Sequence, residues 1–318
     1  MTTFIIRRLI MGVIVILIVT IMIFIFIRIL PGDPLIMYMT GQELYELTTE
    51  QMDALKAKFG LDKPLPLQYI NWLGNIFRGD LGLSIYYNSN VAGLVAERLP
   101  VTLYLGVLSF IIGNSLGICF GVICALKRGK WIDTIVTFFA NIGITVPSFW
   151  IGIILMYLLA YKLGWLPVYG YTSPLEDFSL SIRKAIMPVA CLSLFTIASV
   201  CRLTRSSILE VIAQDYIRTA WSKGLRERIV VARHTLKNAL IPVITAMGFQ
   251  VAVIFGGSVL IETVFNIPGV GRLMTESVQE QDFMVVQAGT LMMATMVVLT
   301  NLVVDISYGW LDPRIRYD

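Results

Sequence analysis

Hydrophobic and polar positions alternate along this chain in long blocks. Uncharged runs cover Leu9–Ile27, Leu99–Leu126, Thr134–Tyr161, Ala185–Cys201, Asn238–Ile261 and Phe283–Val304. Crossing a bilayer core takes about 20 apolar residues in helical form, and only helices or closed barrels satisfy the backbone there. Runs of this size predict an all-α integral membrane fold with six transmembrane helices. The fourth run is the shortest and reaches span length only by including Arg202 near one end, where a long side chain snorkels. The first run follows Arg7 and Arg8, as a signal peptide would, but it is longer than a signal core of about 7–15 residues and lacks a small-residue cleavage site. It reads as a retained helix.

The polar blocks are unequal. Residues 31–98 are too long for a simple connection. They open on Pro31-Gly-Asp-Pro34, where the prolines forbid a continuing helix. Thr48 or Thr49 caps a predicted helix over Glu50–Phe59, ended by Gly60. After Lys63-Pro-Leu-Pro66, residues 68–77 place Tyr69, Trp72, Leu73 and Ile76 on one helical face. This outer cap either covers the mouth of a pathway or packs on neighbouring helices, and both readings stay open. Lys127–Asp133 forms a short inner turn, and Lys162–Lys184 an outer loop rich in Gly, Pro and Tyr. Within the third span lies Pro147-Ser148, which predicts a kink. Ser206–Trp221 reads as one continuous helix with Ile208, Val211, Ile212 and Ala220 available for packing. Gly224 stands where a helix end needs a left-handed residue, and a second short helix with His234, Asn238 and Pro242 leads into the fifth span. No internal repeat is visible, so an inverted-repeat carrier is unsupported.

Composition agrees with a membrane protein. Of 318 residues 57% are hydrophobic and 14% charged, against about 25% charged in soluble domains, and the mean hydropathy is +0.77. Basic residues cluster at Arg7 and Arg8, at Lys127, Arg128 and Lys130, through 205–237, and at Arg314 and Arg316. The positive-inside rule then places both termini in the cytoplasm. The segment after the fifth span, taken as an outer loop, carries Arg272 against Glu262, Glu276, Glu280 and Asp282. A net charge of +4 distributed at membrane edges fits lipid headgroups and argues against nucleic acid. Cys119, Cys124, Cys191 and Cys201 lie in or beside hydrophobic runs and read as small hydrophobes. With His234 as the single histidine, no typical zinc site can be assembled.

By composition alone, the 215–242 block is a basic juxtamembrane loop held by anionic lipid. The order of its residues points further. Thr219-Ala220-x-x-x-Gly224 with its downstream proline resembles the cytoplasmic loop signature of type I ABC importer permeases, Glu-Ala-Ala, three residues, then Gly. Arg218 and Thr219 replace the Glu and first Ala, as in the dipeptide, oligopeptide and nickel branch, which also carries the His and Asn before the proline. The resemblance continues through Leu30-Pro-Gly-Asp-Pro34, Gly60-Leu-Asp-Lys-Pro64, Gly79-Asp-Leu-Gly82, Arg98-Leu-Pro-Val-Thr-Leu103, Pro147-Ser-Phe-Trp150, Glu262-Thr-Val-Phe265, Pro268-Gly-Val-Gly271 and Asp312-Pro-Arg-Ile-Arg-Tyr317. Each alone is only a turn; their order across the chain is similar to the first of the branch's two permease subunits.

That resemblance implies an organisation and a mechanism. Residues 1–94 would hold the first span and the outer cap, 95–310 the permease core with a coupling hairpin at 206–238, and 311–318 a cytoplasmic tail. Partners would be a second homologous permease, two ABC ATPases carrying ATP and Mg, and an external substrate-binding protein, in the cytoplasmic (inner) membrane of a prokaryote. Asp215, Tyr216, Arg218, Thr219, Ala220, Lys223, Gly224 and Leu225 would contact an ATPase groove, and His234, Asn238 and Pro242 would brace the hairpin. His234 fits a structural brace better than a proton switch, since no carboxylate partner is evident beside it. Asn114 and Asn141 are candidates for interhelical hydrogen bonds, secondarily for lining a pathway, and Asp305 for an ion pair at the interface. The chain has no Gly-x-x-x-x-Gly-Lys-Ser/Thr phosphate loop, so no catalysis, cofactor or metal is expected in it.

A secondary carrier or channel, or an intramembrane enzyme, would need ionisable or nucleophile–base groups in mid-span, and the uncharged runs hold no Asp, Glu or His. Within the branch a peptide substrate is favoured; a nickel ion would need His or carboxylate ligands along its path, although a metal chelate escapes that requirement. Deleting 43–60 is expected to lower transport while leaving assembly intact, measured by uptake and by co-purification of the complex. Unchanged uptake would reduce the outer segment to packing.

Overall fold

A computed structural model describes residues 2–29, 62–84 and 86–311, almost all of them in helices. The elements are α1 (Thr2–Ile29), α2 (Leu65–Phe77), α3 (Val91–Leu126), α4 (Trp131–Thr145), α5 (Ser148–Leu155, extended by the π-helical Met156–Lys162), α6 (Phe178–Ile212), α7 (Asp215–Ser222), α8 (Glu227–Val264), α9 (Val270–Gln279) and α10 (Phe283–Leu311). Five of these helices are long and apolar enough to cross a membrane, and the α4–α5 pair makes a sixth crossing if read as one broken span. The helix expected over Glu50–Phe59 and the Pro31–Pro34 turn lie outside the described residues.

The third span is not kinked but broken: α4 and α5 meet at 107°. Proline drives its predecessor out of the helical region, and Val146 is extended at φ −87°, ψ 130°. The fourth span also starts earlier than its apolar run. Asp177 caps it by accepting the Leu180 amide at 2.9 Å, so the end of the expected outer loop is helix. Lys184 there donates to Thr172 Oγ1 at 2.9 Å.

α3 and α6 are the closest pair. Gly113, Gly117 and Gly121 recur every four residues on α3 and so share one face. A Cβ built on Gly117 would lie 2.7 Å from Val200 Cβ, and one on Gly121 2.5 Å from Thr204 Cβ and 2.7 Å from the Cys201 carbonyl. Small residues at this spacing let backbones approach where lipid supplies no hydrophobic drive. Asn114 beside them donates to Phe110 of its own helix at 2.8 Å and makes no interhelical bond among the described residues. Inside the bundle Gln250, 2% exposed, supplies an interhelical bond instead, donating to Ser199 Oγ at 3.1 Å.

At the end of the bundle away from the α7 hairpin, Glu262 is not in a loop. It sits in the last turn of α8, fully buried. Its carboxylate accepts from Thr102 Oγ1 at 2.7 Å and from the Arg272 amide at 3.0 Å. The Val270 amide donates to Thr102 Oγ1 at 2.8 Å, so the pair satisfies the first turn of α9. A Cβ on Gly269 would fall 2.3 Å from the Glu262 carboxyl carbon, which explains the small residues of the Pro268–Gly271 turn. Nearby, Tyr87 donates to Glu276 at 2.9 Å, and burial followed by this bond pushes its pKa up to about 12.

α1 runs beside α10, and α2 lays Tyr69 and Trp72 against Phe24 of α1, the face anticipated from spacing. Tyr69 Oη and Thr20 Oγ1 are 2.9 Å apart, and Arg28 donates to Gln68 Oε1 at 3.0 Å. The described part of the cap therefore packs on the first span.

Gly121→Leu should overpack the α3–α6 contact by about 1–3 kcal/mol and lower the melting temperature or yield of the purified protein. Gly74→Ala, where an added Cβ meets nothing within 4 Å, should change neither.

Candidate coupling hairpin and adjoining cleft

The hairpin is built by a break that sequence periodicity does not announce. Ser206–Trp221 is two helices: α6 ends at Ile212, Gln214 turns extended at ψ 148°, and α7 begins at Asp215. Redirection turns Ile217 and Ala220 onto Val230 and Val211, where a straight continuation would leave Ile217 in water. Ile217, Ala220 and Val230 are 1%, 6% and 1% exposed, a small core of the hairpin's own. Ala220 therefore faces inward, and the close approach its methyl permits is between the two limbs.

Gly224 closes the turn with φ +75°, a left-handed conformation that costs other residues about 1–2 kcal/mol. The second limb is no separate helix, since Glu227 leads without interruption through a π-helical segment, Val230–Thr235, into α8. The limbs are tied by Asn238 Nδ2, which donates to Tyr216 Oη at 3.0 Å and to the His234 carbonyl at 3.1 Å. His234 is half-buried within the π segment, and Pro242 is exposed on α8.

What the hairpin shows outward is an apolar and charged surface. Tyr216, Trp221, Leu225 and Ile229 are 44%, 54%, 38% and 42% exposed. Asp215, Arg218, Thr219, Lys223 and Gly224 are also exposed, with Arg218 3.5 Å from Asp215. Trp221 and Ile229 were absent from the motif-based set; Trp221 occupies an unspecified position of the signature. Exposed aromatics ringed by charge mark partner surfaces.

Between the hairpin and the middle of the bundle, Arg205 of α6 donates to both oxygens of Asp133 at 2.8 Å. Asp133, 6% exposed, also accepts the Gly129 amide at 3.0 Å, pinning α4 to α6. Above this pair a cleft of about 530 Å³ is lined by Thr137, Asn141, Ser199, Arg202 and Ser206. A second cavity of about 250 Å³ at the Pro147 break shares Ile144 and Phe195 with it. Asn141 thus lines the cleft. Among the described residues no group of three or more His, Cys, Asp or Glu could hold a metal ion.

A multi-pass helical bundle with a cleft that carries polar side chains, continuous through α6 with an exposed hairpin, fits a membrane transport component. Residues 117–317 match the family described as the binding-protein-dependent transport system inner membrane component, and residues 1–106 match the N-terminal region of such components. A Brucella abortus protein described as a peptide transport system permease is 41% identical over 318 residues, covering all of both chains. The oligopeptide transport system permease protein AppB of Bacillus subtilis is 39% identical over 320 residues, again covering all of both chains. A structure of the MetNI methionine ABC transporter in an inward-facing conformation superposes with a TM-score of 0.55 at 16% identity, covering 69% of this chain and 96% of that one. The chain belongs to the binding-protein-dependent transport system inner membrane component family. It is a multi-pass inner-membrane permease with the type I ABC importer fold, and membership of this family implies ATPase and substrate-binding-protein partners.

Ala220→Leu should overpack the hairpin core and loosen it by about 1–3 kcal/mol. Faster hydrogen exchange over 215–230 with normal membrane insertion is the expected result.

Proposed function

We propose that this chain is the non-catalytic permease subunit of an ATP-driven importer that moves di- and oligopeptides from an external binding protein into the cytoplasm. Relatives matching the whole chain are described as peptide permeases, which supports the cargo class. The observation that carries the coupling role is the hairpin: a compact helix–Gly224–helix unit, packed on itself, with Tyr216, Trp221 and Leu225 turned outward. Asp215, Tyr216, Arg218, Thr219, Lys223, Gly224 and Leu225 form its docking face, joined by Trp221, while Ala220 supports that face from behind. His234, Asn238 and Pro242 brace the second limb.

In this reading two ATPases bind ATP and Mg, and one of them grips the hairpin. A second homologous permease completes the pathway, and no cofactor resides in this chain. The basic residues set the hairpin and both termini in the cytoplasm. Closure of the ATPase pair pushes α7, and because α7 is wedged between the ends of α6 and α8, both spans move with it. The core would correspond to 95–310, the preceding segment to an outer cap, and 311–318 to a tail; the 94/95 boundary falls inside α3.

Trp221→Ala should weaken ATPase association on the order of 30-fold, as loss of an interface aromatic does, and Gly224→Leu should abolish transport while membrane insertion continues. Normal ATP-dependent uptake by Gly224→Leu would sink the coupling role. Mass spectrometry of the ligand carried by the cognate binding protein tests the cargo: a peptide is expected, and a nickel chelate would replace that assignment.

A further inference from the structure

The cleft between α4 and α6 sets polar side chains among its apolar ones. α4 has two unlike faces. On one, Ile135, Phe138 and Phe139 are 46%, 61% and 64% exposed, and the adjoining cavity is walled by Phe120, Val136, Leu194 and Ile197. Acyl chains account for that face. The other presents Thr137, Asn141 and Thr145 toward the cleft and the Pro147 break, and acyl chains do not account for it.

Two groups in the cleft have no side-chain partner among the described residues. Thr137 bonds Asp133, Thr145 bonds the Asn141 carbonyl, Ser199 is held by Gln250, Ser206 bonds the Leu203 carbonyl, and Arg205 is neutralised by Asp133. The Asn141 carboxamide and the Arg202 guanidinium remain. Arg202 lies one turn, about 4.5 Å along the axis, further into the bundle than Arg205. Arg202 stands near the end of its apolar run, where an arginine can reach headgroups, but here it lines the cleft, and its planar fork matches a carboxylate. Asn141 offers a donor and an acceptor together, the complement of a peptide bond.

We propose that Arg202 and Asn141 form a transient subsite of the translocation cleft, Arg202 receiving the C-terminal carboxylate of the moving peptide and Asn141 an adjacent backbone amide. This rests on the peptide-import reading. Every unblocked peptide carries these groups whatever its side chains, so the subsite is blind to sequence and leaves selection to the binding protein. One exposed charge also holds weakly enough to release its cargo, as conduction requires.

The test uses the complete importer with its ATPases and binding protein in proteoliposomes. It compares uptake of one peptide with a free C-terminal carboxylate against the same peptide amidated, each corrected for its affinity to the binding protein. Wild type is expected to move the free carboxylate faster. Arg202→Gln should slow that peptide on the order of tenfold, the scale of a lost charged hydrogen bond, and leave the amidated one within twofold. Arg202→Lys should keep most of the preference, and Asn141→Ala should slow both peptides alike. Co-purification with the ATPases checks assembly of each variant. Equal slowing of both peptides by Arg202→Gln, or slowing of neither, overturns the subsite. An Arg202→Gln defect that appears only in vesicles containing anionic lipid, for both peptides, assigns the arginine to headgroups and overturns it too. Wild type moving neither peptide while its binding protein holds a different ligand overturns the import reading itself, and the subsite with it.

Discussion

Close approach of α3 and α6 through Gly113, Gly117 and Gly121 is the contact on which the rest of the bundle depends. In lipid, apolar side chains gain little by leaving the solvent, so helices are held by van der Waals fit and by the few polar groups they share. Three missing side chains on α3 admit Thr196, Val200 and Thr204 of α6 nearly to the backbone. That fixes α6, which lines the cleft and leads into the hairpin.

With 35 residues, α6 is a rod about 52 Å long. One wall of the cleft is its middle, Asp133 is clamped by its Arg205, and its end feeds the hairpin. The other span at the hairpin, α8, begins there and runs to Glu262 at the far end, where a buried carboxylate holds the first turn of α9. α7 is therefore linked to the cleft by two continuous helices joined by Gln250 and Ser199. Ile217, Ala220 and Val230 make the hairpin a packed body rather than a loop.

Much of this was readable in the residues. Long uncharged runs announced the spans, since nothing else hides so many apolar side chains. Gly224 announced the turn, because a residue at φ +75° after a helix is best served by glycine. Other features were hidden by the locality of sequence patterns. Ser206–Trp221 has helical periodicity throughout, and the turn at Gln214 arises because burying Ile217 against Val230 outweighs one more turn of straight helix. Pro147 signalled a disturbance but not its size. Glu262 read as a loop charge because a carboxylate ends the apolar run; its hydroxyl partner, Thr102, lies 160 residues away. Asn114 and Gln250 look alike in sequence, yet of the two only Gln250 hydrogen-bonds another helix among the described residues.

By itself the sequence determined that this is a helical membrane protein with a polar, glycine-hinged hairpin between its fourth and fifth spans, because hydrophobic length and backbone conformation are local demands. Tertiary structure alone decided which face of each helix meets lipid, which meets a neighbour and which meets the cleft. Those choices depend on distant residues: Thr204 opposite Gly121, Arg205 opposite Asp133, Thr102 beneath Glu262. A polar side chain in a span acquires its role from what the fold brings against it. Arg202 and Arg205 are three residues apart on one helix, and only the folded bundle gives a carboxylate to the second and open space to the first.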